Sequence, residues 1–279
     1  MSLATLFIAF CGGVFGAIFG GTIAFIMAGF LSLLGAAIVL SNGDTYFINE
    51  VVFGPFFGPQ VAFIGGVAAA AWQGKLTNSN DTGRNVMASA YQGKRSSYLI
   101  GGVFGLFGYI IAFIFLLFSP PIDAVALTIV ILSLFIRKFI AKESIITINN
   151  NPANWQNALM EDIKYHIPLA FFISLGIAYV TIDLNIATFG WGISAMTLIF
   201  QYSTKQPIPV THHVTLVSAY AALATGNIWF SAIIGMASMI VGLVLDRIIN
   251  YRSGSHLDMP AAVIALFSLP IFIFQLLVS

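Results

Sequence analysis

Tyr98-Leu-Ile-Gly-Gly-Val-Phe-Gly-Leu-Phe-Gly-Tyr-Ile-Ile-Ala-Phe-Ile-Phe-Leu-Leu-Phe118 runs for 21 residues without a charge. A helix of about 20 apolar residues spans the hydrocarbon core of a bilayer, so this stretch reads as a transmembrane helix. The same pattern recurs outward from it, at residues 3–20, 22–40, 51–73, 122–137, 167–182, 185–203, 210–226, 227–245 and 260–278. Across all 279 residues, 59% are hydrophobic and 8% charged, a composition that excludes a water-soluble globular domain.

The chain therefore reads as an all-α integral membrane protein, a polytopic bundle of about ten transmembrane helices. Residues 1–137 and 167–279 form two halves of about five spans each, joined by a cytoplasmic linker over 138–166. In that linker Trp155, Leu159, Met160 and Ile163 recur at helical spacing, as in a helix lying flat on the membrane surface. Ten spans consume about 200 positions, and no soluble catalytic or nucleotide-binding domain fits in the remainder. The first segment lacks a basic n-region and a small-x-small cleavage site and is expected to be a retained span.

Charge sorting orients the spans. In the ten-span arrangement all 11 Lys and Arg fall on one side, whereas Asp44, Glu50, Asp123 and Asp183 fall on the other. Basic loops accumulate in the cytoplasm, which places the chain in a cytoplasmic membrane with both termini outside. The net charge of +1 provides no field for nucleic acid. The single cysteine, Cys11, excludes an internal disulfide, a CxxC pair and a thiolate metal cluster.

Membrane carriers are often duplicated internally. Gly58-Pro-Gln-Val-Ala-Phe-Ile-Gly-Gly resembles Gly226-Asn-Ile-Trp-Phe-Ser-Ala-Ile-Ile-Gly, which suggests a parallel repeat of spans one to four as spans seven to ten. A competing match sets Gly12-Gly-Val-Phe-Gly beside Gly101-Gly-Val-Phe-Gly, in spans that run in opposite directions. Gly12, Gly16 and Gly20, like Gly101 and Gly105, are spaced by four and form bare helix faces for close packing, either within the chain or in a homo-oligomer.

Gly54-Pro-Phe-Phe-Gly-Pro59 places two Gly-Pro pairs inside one apolar segment. Proline removes backbone donors, so the helix is expected to break there, and broken helices at membrane depth commonly border solute or ion sites. Gly54, Pro55, Gly58 and Pro59 are thus pathway candidates, with Thr225-Gly226-Asn227 as the matching break in the second half. Glu50 and its neighbour Asn49 stand beside the first break as a carboxylate and an amide for a cation or proton.

Intramembrane ionisable groups are costly to bury and are functional candidates. His212 and His213 lie in Pro209-Val-Thr-His-His-Val-Thr215, with Thr211 and Thr215 beside them. Adjacent helical residues diverge by about 100°, so the two histidines do not chelate one ion together, and no metal site is expected. His256 and Asp258 stand before the last span as a cytoplasmic gate. Asn151-Pro152-Ala153 matches the aquaporin triplet, yet it lies in a polar stretch, and Met259-Pro260-Ala261 lacks the asparagine. The glycine strings lack a Gly-Lys-Ser/Thr, which excludes a P-loop.

These features point to a secondary transporter for a small polar or ionic solute, with H+ or Na+ as coupling ion and the lipid bilayer and the solute as partners. The alternative is an oligomeric channel or passive facilitator. A subunit of a larger membrane complex and an enzyme acting on lipid-linked substrates carry less weight. The clearest cluster is the His212–His213 pair, which has no nearby acid, and such an enzyme would usually need clustered carboxylates, histidines or a nucleophile with its base, so neither catalysis nor a cofactor is expected.

Overall fold

The computed structural model describes residues 1–89, 94–147 and 152–278, and among these the secondary structure is all helical, without a strand. The helices are α1 (Leu3–Phe19), α2 (Gly21–Asn42), α3 (Ala62–Thr77), α4 (Asn80–Arg84), α5 (Arg95–Phe118), α6 (Ala124–Phe135), α7 (Pro152–Leu184), α8 (Thr188–Thr197), α9 (Phe200–Thr204), α10 (His212–Thr225), α11 (Ile228–Ile249) and α12 (Met259–Val278). Among the described residues there are also two π-helical turns. Phe47–Val52 follows α2, and Ile136–Ala141 extends α6.

Six helices are long and apolar enough to cross a membrane: α2, α5, α6 with its π turn, α7, α11 and α12. Of the other expected spans, α1 has 17 residues, α3 has 16, α8 has 10 and α10 has 14. The expected surface helix over 147–166 is not separate. From Pro152 the chain runs as one continuous helix, α7, through Pro168 to Leu184, because nothing in its pattern interrupts the turns before the apolar part. Asn151 of the aquaporin-like triplet lies outside the described residues. Phe7, Leu117, Phe172 and Leu277 are exposed on the outside, as suits helices facing lipid.

The helices pack in two equivalent sets of five. In the first, α1 packs on α3 and α5, α3 on α5 and α2, and α5 on α6. In the second, α7 packs on α10 and α11, α10 on α11 and α8, and α11 on α12. The sets meet through equivalent members, α2 against α8 and α6 against α12. The sets are also inverted. The end of α1 meets loop 85–89, where Thr22 N–H donates to Val86 O at 3.0 Å. Tyr202 joins the same loop, its hydroxyl donating to Met87 O at 3.0 Å. At the same end Arg247 pairs with Asp162 near the start of α7, 2.5 Å apart, and Asn80 Nδ2 donates to Arg252 O at 3.3 Å. Thus α1 runs toward this end and α7 away from it. The end carries the lysines and arginines, whereas Asp44, Glu50, Asp123 and Asp183 mark the opposite one.

This arrangement corrects the parallel four-plus-four repeat. It also explains the glycine match: Gly13 faces Gly101 and Gly105 directly, so the two similar stretches are contact partners rather than symmetry mates. A Cβ at Gly105 would lie 2.5 Å from Gly13 Cα, and one at Gly65 2.5 Å from the same atom. Lipid offers little hydrophobic drive for helix association, and close backbone approach supplies the van der Waals contact instead. The glycine faces, read as serving packing within the chain or in a homo-oligomer, make these close contacts within the chain.

The break at Gly54–Pro59 is present, between the π turn and α3, with Gln60 Nε2 donating to Phe53 O at 2.7 Å across it. Its counterpart is not Thr225-Gly226-Asn227. That stretch is the tight α10–α11 turn, with Gly226 at φ +65° and Asn227 capping α11 through Trp229 and Phe230 N–H, 3.0 Å each. The second break is 205–211, containing Pro207 and Pro209, immediately before α10. The short helices α3 and α10 are therefore the buried centre of each set, and both begin inside the bundle.

Candidate functional site: a histidine cavity beside a second, smaller one

Because α10 starts within the bundle, its first residues, His212 and His213, are buried at 7% and 1% exposure. They border a cavity of about 330 Å³ together with His166 from α7 and His256 from the α11–α12 loop. All four histidines of the chain thus converge on one space. Asp246, Asn250 and Asp258 border it too, among apolar groups such as Phe25, Phe63, Met239 and Leu243. Among the described residues no lysine or arginine borders it.

Among the described residues His212 Nδ1 and both ring nitrogens of His213 have no hydrogen-bond partner. Neutral imidazole always presents one donor and one acceptor, so these are open valences at the cavity. Room for His213 comes from Gly242 of α11, where a Cβ would lie 2.9 Å from Nε2. Asp258 is 4% exposed and accepts Ala261 N–H at 3.0 Å, capping α12 with one oxygen. Burial raises its carboxyl pKa, against the opposing pull of His256 and of the Ala261 N–H bond. Burial likewise lowers that of His256, against the pull of Asp258 and Asp246.

A second cavity, about 50 Å³, continues toward the acidic end. It shares three bordering residues with the first: Phe25, His212 and Asp258. Phe25 stacks at 4.6 Å from the His212 ring and 5.1 Å from Trp191. On the far side Asp123 caps α6 through Ala126 N–H at 2.7 Å and receives the Tyr220 hydroxyl at 2.6 Å. Asp123 before α6 and Asp258 before α12 are equivalent in the two sets, and both border the smaller cavity.

The wall toward the basic end is fixed by Arg137, 0% exposed on the second π turn. Its guanidinium donates to Ser255 Oγ at 3.0 Å, Ser255 O at 2.6 Å, Asn250 Oδ1 at 2.9 Å and Ile249 O. Glu143 accepts Gly254 N–H with both oxygens at 2.8 Å. The loop that carries His256 and Asp258 is thus strapped by residues of the other set.

Of the sequence candidates, His212, His213, His256 and Asp258 come together. Pro59 borders only the smaller cavity, and Gly54, Pro55 and Gly58 form the break behind it. Thr211 bonds Ser194 Oγ at 3.2 Å and Thr215 bonds His212 O at 3.2 Å, and both face an apolar groove on the other side of α10. Glu50 and Asn49 are exposed at the acidic end, and Asn227 is a helix cap. His166, Asp246, Phe25 and Arg137 escaped the sequence reading. Arg137, the first charge after an uncharged run from Ala124, was the available signal.

Residues 1–153 and 166–278 match the family of unknown function DUF7973. The chain belongs to this family. No curated protein and no solved structure matches it.

Proposed function

We propose that the protein is a secondary transporter, carrying a small polar or ionic solute through the histidine cavity by alternating access across a multi-pass cytoplasmic membrane. The observation that carries this reading is the shared wall of Phe25, His212 and Asp258 between two cavities that lie one after the other along the bundle. A carrier needs a site reached from either side in turn and a thin barrier on each side of it. Inverted sets with discontinuous central helices are the architecture in which such exchange arises, by one set adopting the conformation of the other.

In this reading the ten helical passages of the two sets are the spans, the basic end faces the cytoplasm and both termini lie outside. The test is flux into proteoliposomes across a panel of amines, amino acids, carboxylates and nucleobases. Saturable, counterflow-competent uptake that Phe25→Trp blocks supports a carrier. Non-saturating conductance without counterflow overturns it in favour of a channel, and absence of flux for every solute overturns both.

A further inference from the structure

The chemistry of the cavity wall selects its ligand. Two carboxylates, Asp246 and Asp258, border it, and among the described residues no lysine or arginine does. Arg137, close enough to act on His256, directs its donors to Ser255, Asn250 and backbone carbonyls. Asp246 accepts Asn250 Nδ2 at 2.9 Å, whereas Asp258 has no ion-pair partner among the described residues and one oxygen beyond its capping bond. A buried carboxylate without a counter-charge is unfavourable, and it is relieved either by a proton or by a cation.

His256 from its own loop acts on that carboxylate, and His212 and His213 from α10 and His166 from α7 border the same cavity, with Asp123 on the smaller one. The aromatic faces of Phe25 and Phe63, 5.8 Å apart at 62°, add the surface on which an alkylammonium rests by cation–π attraction. An inorganic ion is a poor match. The wall is mostly hydrocarbon, and no group of three His, Cys, Asp or Glu among the described residues is placed to hold a metal. The uncapped start of α10 and the histidine N–H groups can draw negative charge, but Asp258 already borders the same two cavities as His212.

We propose that the cavity binds a small organic cation and that this cation and a proton compete for the Asp258 carboxylate, so that one is exchanged for the other. Binding then proceeds as a neutral carboxyl giving up its proton to the bath while its anion pairs with the ligand, and charge balances at every stage. Burial, which holds the Asp258 proton to higher pH, raises the pH at which the two compete. The exchange rests on the transporter reading; the binding does not.

The test uses the full-length protein in lipid nanodiscs and three probes: benzyltrimethylammonium, neutral benzyl alcohol and anionic benzenesulfonate. Calorimetry in two buffers of different ionisation heat reads binding and proton release together. Benzyltrimethylammonium is expected to bind with release of up to one proton, its affinity falling about tenfold per pH unit below the Asp258 pKa. Asp258→Asn, which keeps a capping side chain, is expected to abolish proton release and weaken the cation at least about tenfold. The exposed Asp183→Asn leaves both unchanged. Should Asp258→Asn not fold, Phe25→Leu must weaken the cation severalfold and leave benzyl alcohol unaffected.

Preference for benzenesulfonate, cation binding without proton release, or no binding of any probe overturns the proposal. Proteoliposomes with an acidic interior should then accumulate benzyltrimethylammonium. Proton-releasing binding without such accumulation leaves the binding proposal standing and removes the transporter reading instead.

Discussion

Arg137 and Ser255, 118 residues apart, are joined twice, Nε to Oγ at 3.0 Å and Nη2 to the carbonyl oxygen at 2.6 Å. The contact crosses from the last helix of one set to the loop before the last helix of the other. A buried guanidinium satisfied in this way is a fork that lysine cannot reproduce. Arg137→Lys is expected to lose about 2 kcal/mol of stability by leaving carbonyls unpaired. Because the same loop holds His256 and Asp258, ligand affinity should fall as well; melting curves and calorimetry on one sample read both effects.

Glycine substitutions should divide sharply by location. Gly105→Val sets a side chain against Gly13, where even a Cβ would lie 2.5 Å from Cα, and is expected to cost about 1–3 kcal/mol by overpacking. Gly176 of α7 has nothing within 4 Å of an added Cβ. Gly176→Ala is therefore expected to be neutral or to stabilise by up to about 1 kcal/mol. Equal losses of melting temperature in the two variants would contradict the packing described.

Acidity should act on Asp258 and His256 in opposite senses. The raised carboxyl pKa means the folded chain carries a desolvation penalty above that pKa, relieved as pH falls through it toward the unfolded value. Asp258→Asn is thus expected to melt higher than the parent at neutral pH, with the gain vanishing in acid. The lowered His256 pKa means that, below the ordinary histidine value, the unfolded chain takes up a proton the folded one refuses. His256→Gln should accordingly blunt the loss of stability that begins as pH falls below about 6.5. Thermal denaturation over a pH series decides both.

Gly242→Ala tests whether the open imidazole matters. The added methyl would displace His213, since its carbon lies 2.9 Å from Nε2. Weaker benzyltrimethylammonium binding with cooperative melting retained is the expected outcome, and unchanged affinity would remove His213 from the ligand site.

Glu50→Gln should leave binding unchanged, because Glu50 is exposed at the acidic end, away from both cavities. The calorimetry used for Asp258 serves here too, and a large loss of affinity would return the ligand to the first break.

The helical, lipid-facing character of the chain was legible because apolar length is a local property, as at Tyr98–Phe118. The first break was legible for the same reason: Pro55 and Pro59 act on their own backbone. Its partner was missed because sequence similarity pointed to Gly226, whereas the physical cue was the pair Pro207 and Pro209. His212 and His213 were identified as one pair, and His256 and Asp258 as another, without a link between them. Their convergence with His166 depends on α7 being continuous and on α10 starting inside the bundle, both consequences of tertiary packing. The glycine repeat misled because complementary contact surfaces and duplicated ancestry leave the same signature in small residues.

The buried arginine also sets an order for making the molecule. Residues 249–255 emerge from the ribosome long after Arg137, so for most of synthesis the guanidinium has none of its partners there and must wait at the aqueous surface. Those hydrogen bonds, which join the two sets, can form only once residues 249–255 have been made. Fragments ending before Asn250 should accordingly insert but remain targets for quality-control proteolysis, and a separately expressed α11–α12 fragment should rescue them.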